Sequence, residues 1–182
     1  MRKVIFILLA IVSLNLCSTK NSNAQIFGVG NLGLNFGFGA GNADYTNHNG
    51  IFVPTFNFAL DYGFLGNIIN GKGAISGGGY FGIGQGSEKY SDGKLQDARW
   101  RIGTRGALHY QFVENLDTYG CVNVGYRHDK FKWDGISNNA SDGKFEIFPS
   151  AGVRYMFGNC GVYSELTWNE FAWFQIGLTF IL

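Results

Sequence analysis

Proline is nearly missing from this chain, with 2 in 182 residues, and charge is scarce. Asp, Glu, Lys and Arg make up 15%, against about 25% in ordinary soluble proteins. The net charge of +1 gives no basis for nucleic-acid binding or for steering acidic partners. Beyond the N-terminus no stretch approaches the ~20 consecutive apolar residues of a membrane helix, so a membrane role would have to be built from strands. Glycine and aromatic residues are plentiful: 28 Gly, 17 Phe, 9 Tyr and 4 Trp. Glycine stands at roughly twice the ~7% average, yet there is no triplet repeat, which excludes collagen.

The N-terminus reads as a secretory signal peptide. Met1-Arg2-Lys3 is basic, Val4 to Leu16 is almost wholly apolar but too short to span, and Ser22-Asn23-Ala24 offers small residues for cleavage. The expected division is 1–24 as a removed signal and 25–182 as one domain. Cys17 raises the alternative of cleavage and acylation at that cysteine, although Leu16 is a poor residue to precede it.

From residue 25 onward the dominant signal is a period of two, which belongs to strands whose faces meet different surroundings. Eight segments are expected, near 27–39, 54–64, 73–85, 97–112, 117–131, 146–158, 161–168 and 171–182. Strand four is the clearest: Trp100, Ile102, Thr104, Leu108, Tyr110 and Phe112 oppose Arg99, Arg101, Gly103, Arg105, His109 and Gln111. The closing strand carries Phe174, Ile176, Leu178, Phe180 and Leu182 on one face. In water such a strand is an aggregation hazard; lipid on its face and a neighbour on each edge would cover it. For the sixth and seventh strands, a two-residue turn at Asn159-Cys160 would set Val153 opposite Leu166, Phe157 opposite Val162 and Arg154 opposite Glu165.

Short turns near 65–72, 113–116 and 158–160 alternate with longer polar loops near 40–53, 86–96 and 132–145, the last connection near 169–170 being tight. Transmembrane barrels show this asymmetry, with both termini on the periplasmic side. Tyr45, Phe52, Tyr90, Trp100, Trp133, Trp168 and Trp173 sit near strand ends, where aromatic girdles are expected. The fold class is therefore all-β: a single eight-stranded antiparallel up-and-down transmembrane barrel, its lumen filled by polar side chains. The inward set is Arg99, Arg101, Arg105, His109, Arg127 and Arg154, with Asp61, Asp129 and Glu165 as counter-charges. Buried charges of this kind must be paired and hydrogen-bonded, which predicts a plugged core and no open pore.

In Arg105-Gly106-Ala107-Leu108-His109-Tyr110, Gly152-Val153-Arg154-Tyr155, Ser164-Glu165-Leu166 and the closing strand, the chain resembles the small outer-membrane β-barrels of Gram-negative bacteria, of the OmpX and OmpA-transmembrane type. That resemblance implies outer-membrane lipid as surroundings and a last strand read by the barrel-insertion machinery. The outward loops are then expected to do the work, in a structural or surface-interaction role: surface adhesion, contact with an extracellular ligand or partner, or envelope integrity. Family members usually end in an aromatic residue, whereas this chain ends Phe180-Ile181-Leu182.

No cofactor or catalytic site is expected. Gly77-Gly78-Gly79-Tyr80-Phe81-Gly82 satisfies G-x-G-x-x-G, but a strand and no helix should follow it. His48 is expected in a loop, His109 in the lumen and His128 near an outer strand end; none has a His or Cys at ligand spacing. Ser76, Ser150 and Ser164 have no histidine beside them in the expected register, so no nucleophile–base pair is foreseen. Cys121 and Cys160 form an even pair in an oxidising compartment and are a candidate disulfide, although an intervening strand strains the geometry. Two other readings remain open: a soluble or lipid-anchored lipocalin-like barrel carrying an apolar ligand, and a barrel enzyme that modifies envelope lipid. The arginine face of strand four separates the leading reading from the first alternative, since a lipocalin-like barrel would turn that face to solvent.

Overall fold

The computed structural model describes residues 26–45, 48–90, 93–134 and 139–182. The signal-peptide segment 1–24 and Cys17 lie outside them. The strands are β1 (Leu32–Tyr45), β2 (His48–Asn67), β3 (Gly73–Tyr90), β4 (Gly93–Val113), β5 (Leu116–Asp134), β6 (Asn139–Phe157), β7 (Cys160–Thr167) and β8 (Phe174–Ile181). Each pairs antiparallel with its neighbours, and β8 pairs with β1 to close the ring. Closure satisfies both edges of the terminal strand, which removes the hazard of an apolar free edge.

Alternation sorts the side chains as a membrane barrel requires. Phe38, Ile102, Phe112, Val122, Ile176 and Leu178 are exposed on the outside, while Asn35, Asp61, Arg101, Arg105, Arg154 and Glu165 are buried within. On the closing strand Ile176, Leu178 and Leu182 are exposed, Phe174 is partly so, and Phe180 is covered, its ring set against that of Phe36. Strand pairing traced at right angles from Gly152 on β6 runs through Glu165, Gln175, Gly39, Thr55, Gly84, Arg99 and Asp129. It returns to β6 at Asp142, ten residues from its start. That stagger tilts the strands and brings residues distant in sequence to one level of the lumen.

Several expectations are corrected. Residues 27–31 are not strand; they fold into the mouth of the barrel at the end that holds the termini, and β1 begins at Leu32. The three long polar loops are instead the upper parts of long strands. β1 and β2 reach residues 45 and 48, β3 and β4 reach 90 and 93, and β5 and β6 reach 134 and 139. His48 accordingly opens β2. These segments are rich in polar residues and carry little apolar alternation to reveal them, although Val53 and Leu95 are buried on their inner side. Trp133 does not join an outer girdle but packs against Val53 and Leu95.

The β6–β7 register also differs by two residues from the expected one. The turn is Gly158-Asn159, with Gly158 at φ 78°, and glycine supplies the positive φ that a two-residue hairpin turn demands. Phe157 pairs with Cys160, Arg154 with Tyr163 and Gly152 with Glu165; Val153 faces Ser164, and Val162 faces Tyr155. Connections at the same end are the left-handed turn α1 (Ile68–Gly71), where Ile69 holds φ 50°, and Asn115 at φ 63° between β4 and β5. No helix among the described residues is long and apolar enough to cross a membrane.

Height is uneven round the ring. β2 to β6 run 18 to 21 residues, whereas β7 and β8 have eight each. A tall wall therefore stands over a low side, and β6 pairs with β7 only from Ser150 downward.

Candidate functional site

The lumen gathers its charges into one network. Asp61, fully buried, joins two cations: its Oδ2 accepts from Arg154 Nη2 at 2.7 Å, and its Oδ1 lies 3.1 Å from Arg105 Nε. Arg105 Nη2 reaches Glu165 Oε2 at 3.2 Å and also donates to the Cys121 thiol. Glu165 accepts in addition from Tyr119 Oη at 2.9 Å and from Gln175 Nε2 at 2.8 Å. Arg154 stands over the Tyr119 ring at 4.6 Å and lies 3.6 Å from Asp117. Asp117 is joined to His109 Nδ1 at 2.9 Å, and His109 Nε2 to Ser76 Oγ at 2.9 Å.

A second cluster sits toward the long hairpins. Arg99 is paired with Asp97. Arg127 pairs with Asp129 at 3.0 Å and with Glu170 at 2.9 Å, and Glu146 lies at 4.0 Å. Glu170 belongs to the β7–β8 connection, and the hydrogen bond from Arg127 holds its carboxyl below the usual carboxylate range.

Both ends are closed by a phenylalanine. At the end with the termini, Phe27 is buried and stacks on His109, ring centroids 4.2 Å apart and planes 18° apart. The segment is tied down by Ile26 N donating to Gln111 Oε1 and by Gly30 N donating to the Gly63 carbonyl. At the other end residues 168–173 turn inward. Asn169 Oδ1 accepts from the amides of Phe171 and Ala172, the local bond by which Asn makes turns. Phe171 and Ala172 are fully buried, and the Phe171 ring lies 4.3 Å from the Arg101 guanidinium.

All nine residues of the expected network, Asp61, Arg99, Arg101, Arg105, His109, Arg127, Asp129, Arg154 and Glu165, lie buried on the inner face. Their pairing differs from expectation in one respect: Arg154 is ion-paired with Asp61 and Asp117, and Glu165 with Arg105. The changed hairpin register and the stagger of the sheet account for that. Asp97, Asp117, Glu146 and Glu170 escaped the sequence reading as counter-charges, as did both phenylalanine plugs. Asp97 shares the inward parity of Arg99 and Arg101, and Asp117 that of Asp129, so alternation alone could have found those two.

Two further expectations fail. Cys121 is a free, buried thiol and makes no bridge to Cys160. Its side chain points into the lumen from β5, while Cys160 stands at an outward position across β6, a geometry no disulfide spans. Ser76 does have a histidine beside it. It pairs with Ala107 across β3 and β4, which sets His109 at the diagonal position within reach. Ser76, His109 and Asp117 thus follow the hydrogen-bond order of a hydrolytic triad. Ser76 is 1% exposed and Phe27 covers the imidazole face, so in this arrangement the hydroxyl is buried and the trio braces the lumen. The G-x-G-x-x-G run lies wholly within β3.

No protein-family model matches the chain, and no curated protein does. Solved structures do. The crystal structure of Ail, the attachment invasion locus protein of Yersinia pestis, in complex with the heparin analogue sucrose octasulfate, matches with a TM-score of 0.55 at 13% identity. It covers 84% of this chain and 95% of that one. A second crystal structure of Ail matches over the same shares with a TM-score of 0.52 at 14% identity. This likeness is one of fold: the chain has the architecture of a small eight-stranded outer-membrane barrel.

Proposed function

We propose that this barrel sits in the outer membrane, closed to solutes, and that its tall outer wall binds an extracellular ligand. The observation that carries the reading is the difference in strand height. Strands β2 to β6 continue past the apolar belt while β7 and β8 stop, so a paired sheet stands clear of the membrane with the upper β6 edge facing the low side. The filled lumen and its two plugs support a role outside the bore. The arginine face of β4 turns inward and the exterior is apolar, the reverse of a lipocalin-like carrier.

The chemistry of the wall favours a polyanion. Lys89 and Lys94 face each other across β3 and β4, and Lys130 and Lys132 share their outward side on β5. The bound sulfated ligand of the structurally similar Ail agrees with such a surface.

Two measurements test the proposal. The mature protein should require detergent for release and should migrate differently on a gel with and without boiling; release without detergent defeats the membrane assignment. The purified barrel should bind immobilised heparin at low salt and release it as ionic strength rises. Replacing Lys89, Lys94, Lys130 and Lys132 by Gln should abolish that retention while the heat-dependent gel shift persists. Retention that ignores both salt and the four substitutions defeats the ligand assignment.

A further inference from the structure

Ser76, His109 and Asp117 share more with a triad than the order of their bonds. Asp117 as a carboxylate can only accept, so His109 Nδ1 bears the imidazole proton and donates to it at 2.9 Å. That leaves the Nε2 lone pair to accept from the Ser76 hydroxyl, also at 2.9 Å. The hydroxyl already rests on its base, and the base is oriented by a third group. The three side chains come from the adjoining strands β3, β4 and β5, a rigid mounting for such a site.

A single ring covers the trio, and the ring's place has the makings of a substrate pocket. Phe27 stacks on the His109 imidazole at 4.2 Å, and its centroid lies 5.4 Å from the Arg154 guanidinium carbon. A methyl group at Gly33 would come within 2.9 Å of the Phe27 ring and 3.3 Å of Arg154 Nη1, so ring and guanidinium adjoin on the bare wall of β1. Ala74, Met156 and Ile181 are buried against the same ring. Asp61 and Asp117 hold the charge of Arg154, yet its buried Nε and Nη1 have no hydrogen-bond partner; they offer an incoming carbonyl N–H bonds without surplus charge. With Phe27 withdrawn, the vacated place is bordered by a base, an apolar wall and unused donors. The segment is built to withdraw. Val29 is 64% exposed, Gly28 and Gly30 flank it with Gly30 at φ 83°, and ahead of Phe27 the hydrogen-bond tie among the described residues is Ile26 N to Gln111 Oε1.

We propose that Ser76, His109 and Asp117 form a latent esterase site, shut by Phe27, for a carboxylic ester with a short apolar acyl group that enters from the end holding the termini. The acyl group takes the place of the Phe27 ring against Ala74, Met156 and Ile181, and the ester carbonyl accepts from Arg154. Ser76 Oγ bonds to the carbonyl carbon while His109 Nε2 takes the hydroxyl proton. The ester C–O bond then breaks, the alcohol leaves with that proton, and the acyl group stays on Ser76. Water, deprotonated by His109, releases the carboxylic acid and restores the hydroxyl. Asp117 is a positioning residue that keeps the imidazole in the required tautomer.

Labelling of the mature barrel in detergent by a short-chain alkyl fluorophosphonate, read by mass spectrometry on the peptide that carries Ser76, tests the site. Where the docked plug leaves the open state below about a tenth of the population, Phe27→Ala should speed labelling roughly tenfold or more. Gln111→Leu, which cuts the tether and keeps the ring, should speed it less, and it serves as the test if Phe27→Ala gives no heat-modifiable barrel. The same variants should hydrolyse p-nitrophenyl butyrate, and adding Ser76→Ala should remove both label and turnover. Asp117→Asn in the opened barrel should lower kcat far more than it changes KM, the mark of a misplaced imidazole proton rather than a lost pocket. A folded Phe27→Ala or Gln111→Leu barrel labelled no faster than the parent, or turnover that survives Ser76→Ala, overturns the proposal and leaves the trio a brace.

Discussion

Removing the Asp61 carboxylate should be among the most damaging single changes to this barrel. Asp61 is fully buried and ion-paired with both Arg105 and Arg154, so Asp61→Ala takes a partner from two cations at once. Breaking a buried ion pair typically destabilises by about 3–5 kcal/mol, most of it the cost of the charge left behind. Here each cation keeps a second partner: Arg105 has Glu165 at 3.2 Å, and Arg154 has Asp117 at 3.6 Å. The loss should therefore fall near the lower bound, about 3 kcal/mol, which is roughly a hundredfold or more in the folding equilibrium. Asp61→Asn, which keeps an acceptor oxygen, should lose less. Arg154→Met should also lose less than Asp61→Ala, because Asp61 would still hold Arg105. The double change Asp61→Ala with Arg154→Met should be milder than the two single losses combined, by about 0.5–3 kcal/mol, since the pair interacts directly. Equilibrium urea unfolding in phospholipid vesicles, followed by tryptophan fluorescence and by gel mobility without boiling, measures all four. An Asp61→Ala barrel within about 1 kcal/mol of the parent, or strict additivity in the double variant, would refute the assigned pairing.

Two further outcomes follow from the outer plug. Phe171→Ala removes a fully buried ring from the Arg101 cage and should destabilise by about 3–5 kcal/mol; urea unfolding measures the loss, and faster amide exchange at residues 168–173 should accompany it. The Glu170 carboxyl, lowered by its Arg127 hydrogen bond, makes plug docking depend on acid. Its stabilisation is fully present above the ordinary glutamate pKa and is lost as pH falls through the lowered value. The protection factors of the Phe171 and Ala172 amides, which divide out the intrinsic pH dependence of exchange, should thus be constant from neutral pH down to the ordinary glutamate range and fall only in stronger acid. Glu170→Gln should remove that acid step, and an unchanged acid profile in that variant would count against the assignment.

How much of this was legible in the chain differs by level. Wherever lipid lies on one face and the lumen on the other, alternation named both the strand and the inward side, as in Trp100 and Ile102 against Arg99 and Arg101. Above the belt most side chains are polar on both faces, so residues 86–96 and 132–145 carry little contrast and read as loops while pairing as sheet, with Leu95 and Trp133 the apolar exceptions. Phe27 misled in the opposite direction, because an apolar residue just ahead of Leu32, Leu34 and Phe36 extends a strand pattern that the backbone leaves. Partner choice in the lumen was hidden for a geometric reason. Asp61 and Arg154 are 93 residues apart and meet only because of the sheet's stagger, which no local pattern encodes. The β6–β7 register turned on which two residues make the turn, and the positive φ of Gly158 decided it.

The glycines on the inner face of β1 bear on how the ring comes to be closed. Gly33, Gly37, Gly39 and Gly41 leave that wall almost bare, and the space is taken by side chains and backbone from elsewhere: Phe27, Tyr163, Thr55 and the Phe171 carbonyl. The β1–β8 seam joins residues as distant in sequence as Gly33 and Ile181, so it has the largest loop-closure penalty of any strand pair and is the natural last step of assembly. A bare first strand presents little to rearrange at that moment. Pairs within one strand, Asp97 with Arg99 and Arg127 with Asp129, can form while the sheet is still open, and β1 then closes against β8 with few side chains of its own to fit. Bulk added at Gly37 or Gly41 should accordingly impede maturation more than it impairs any contact with the outside world.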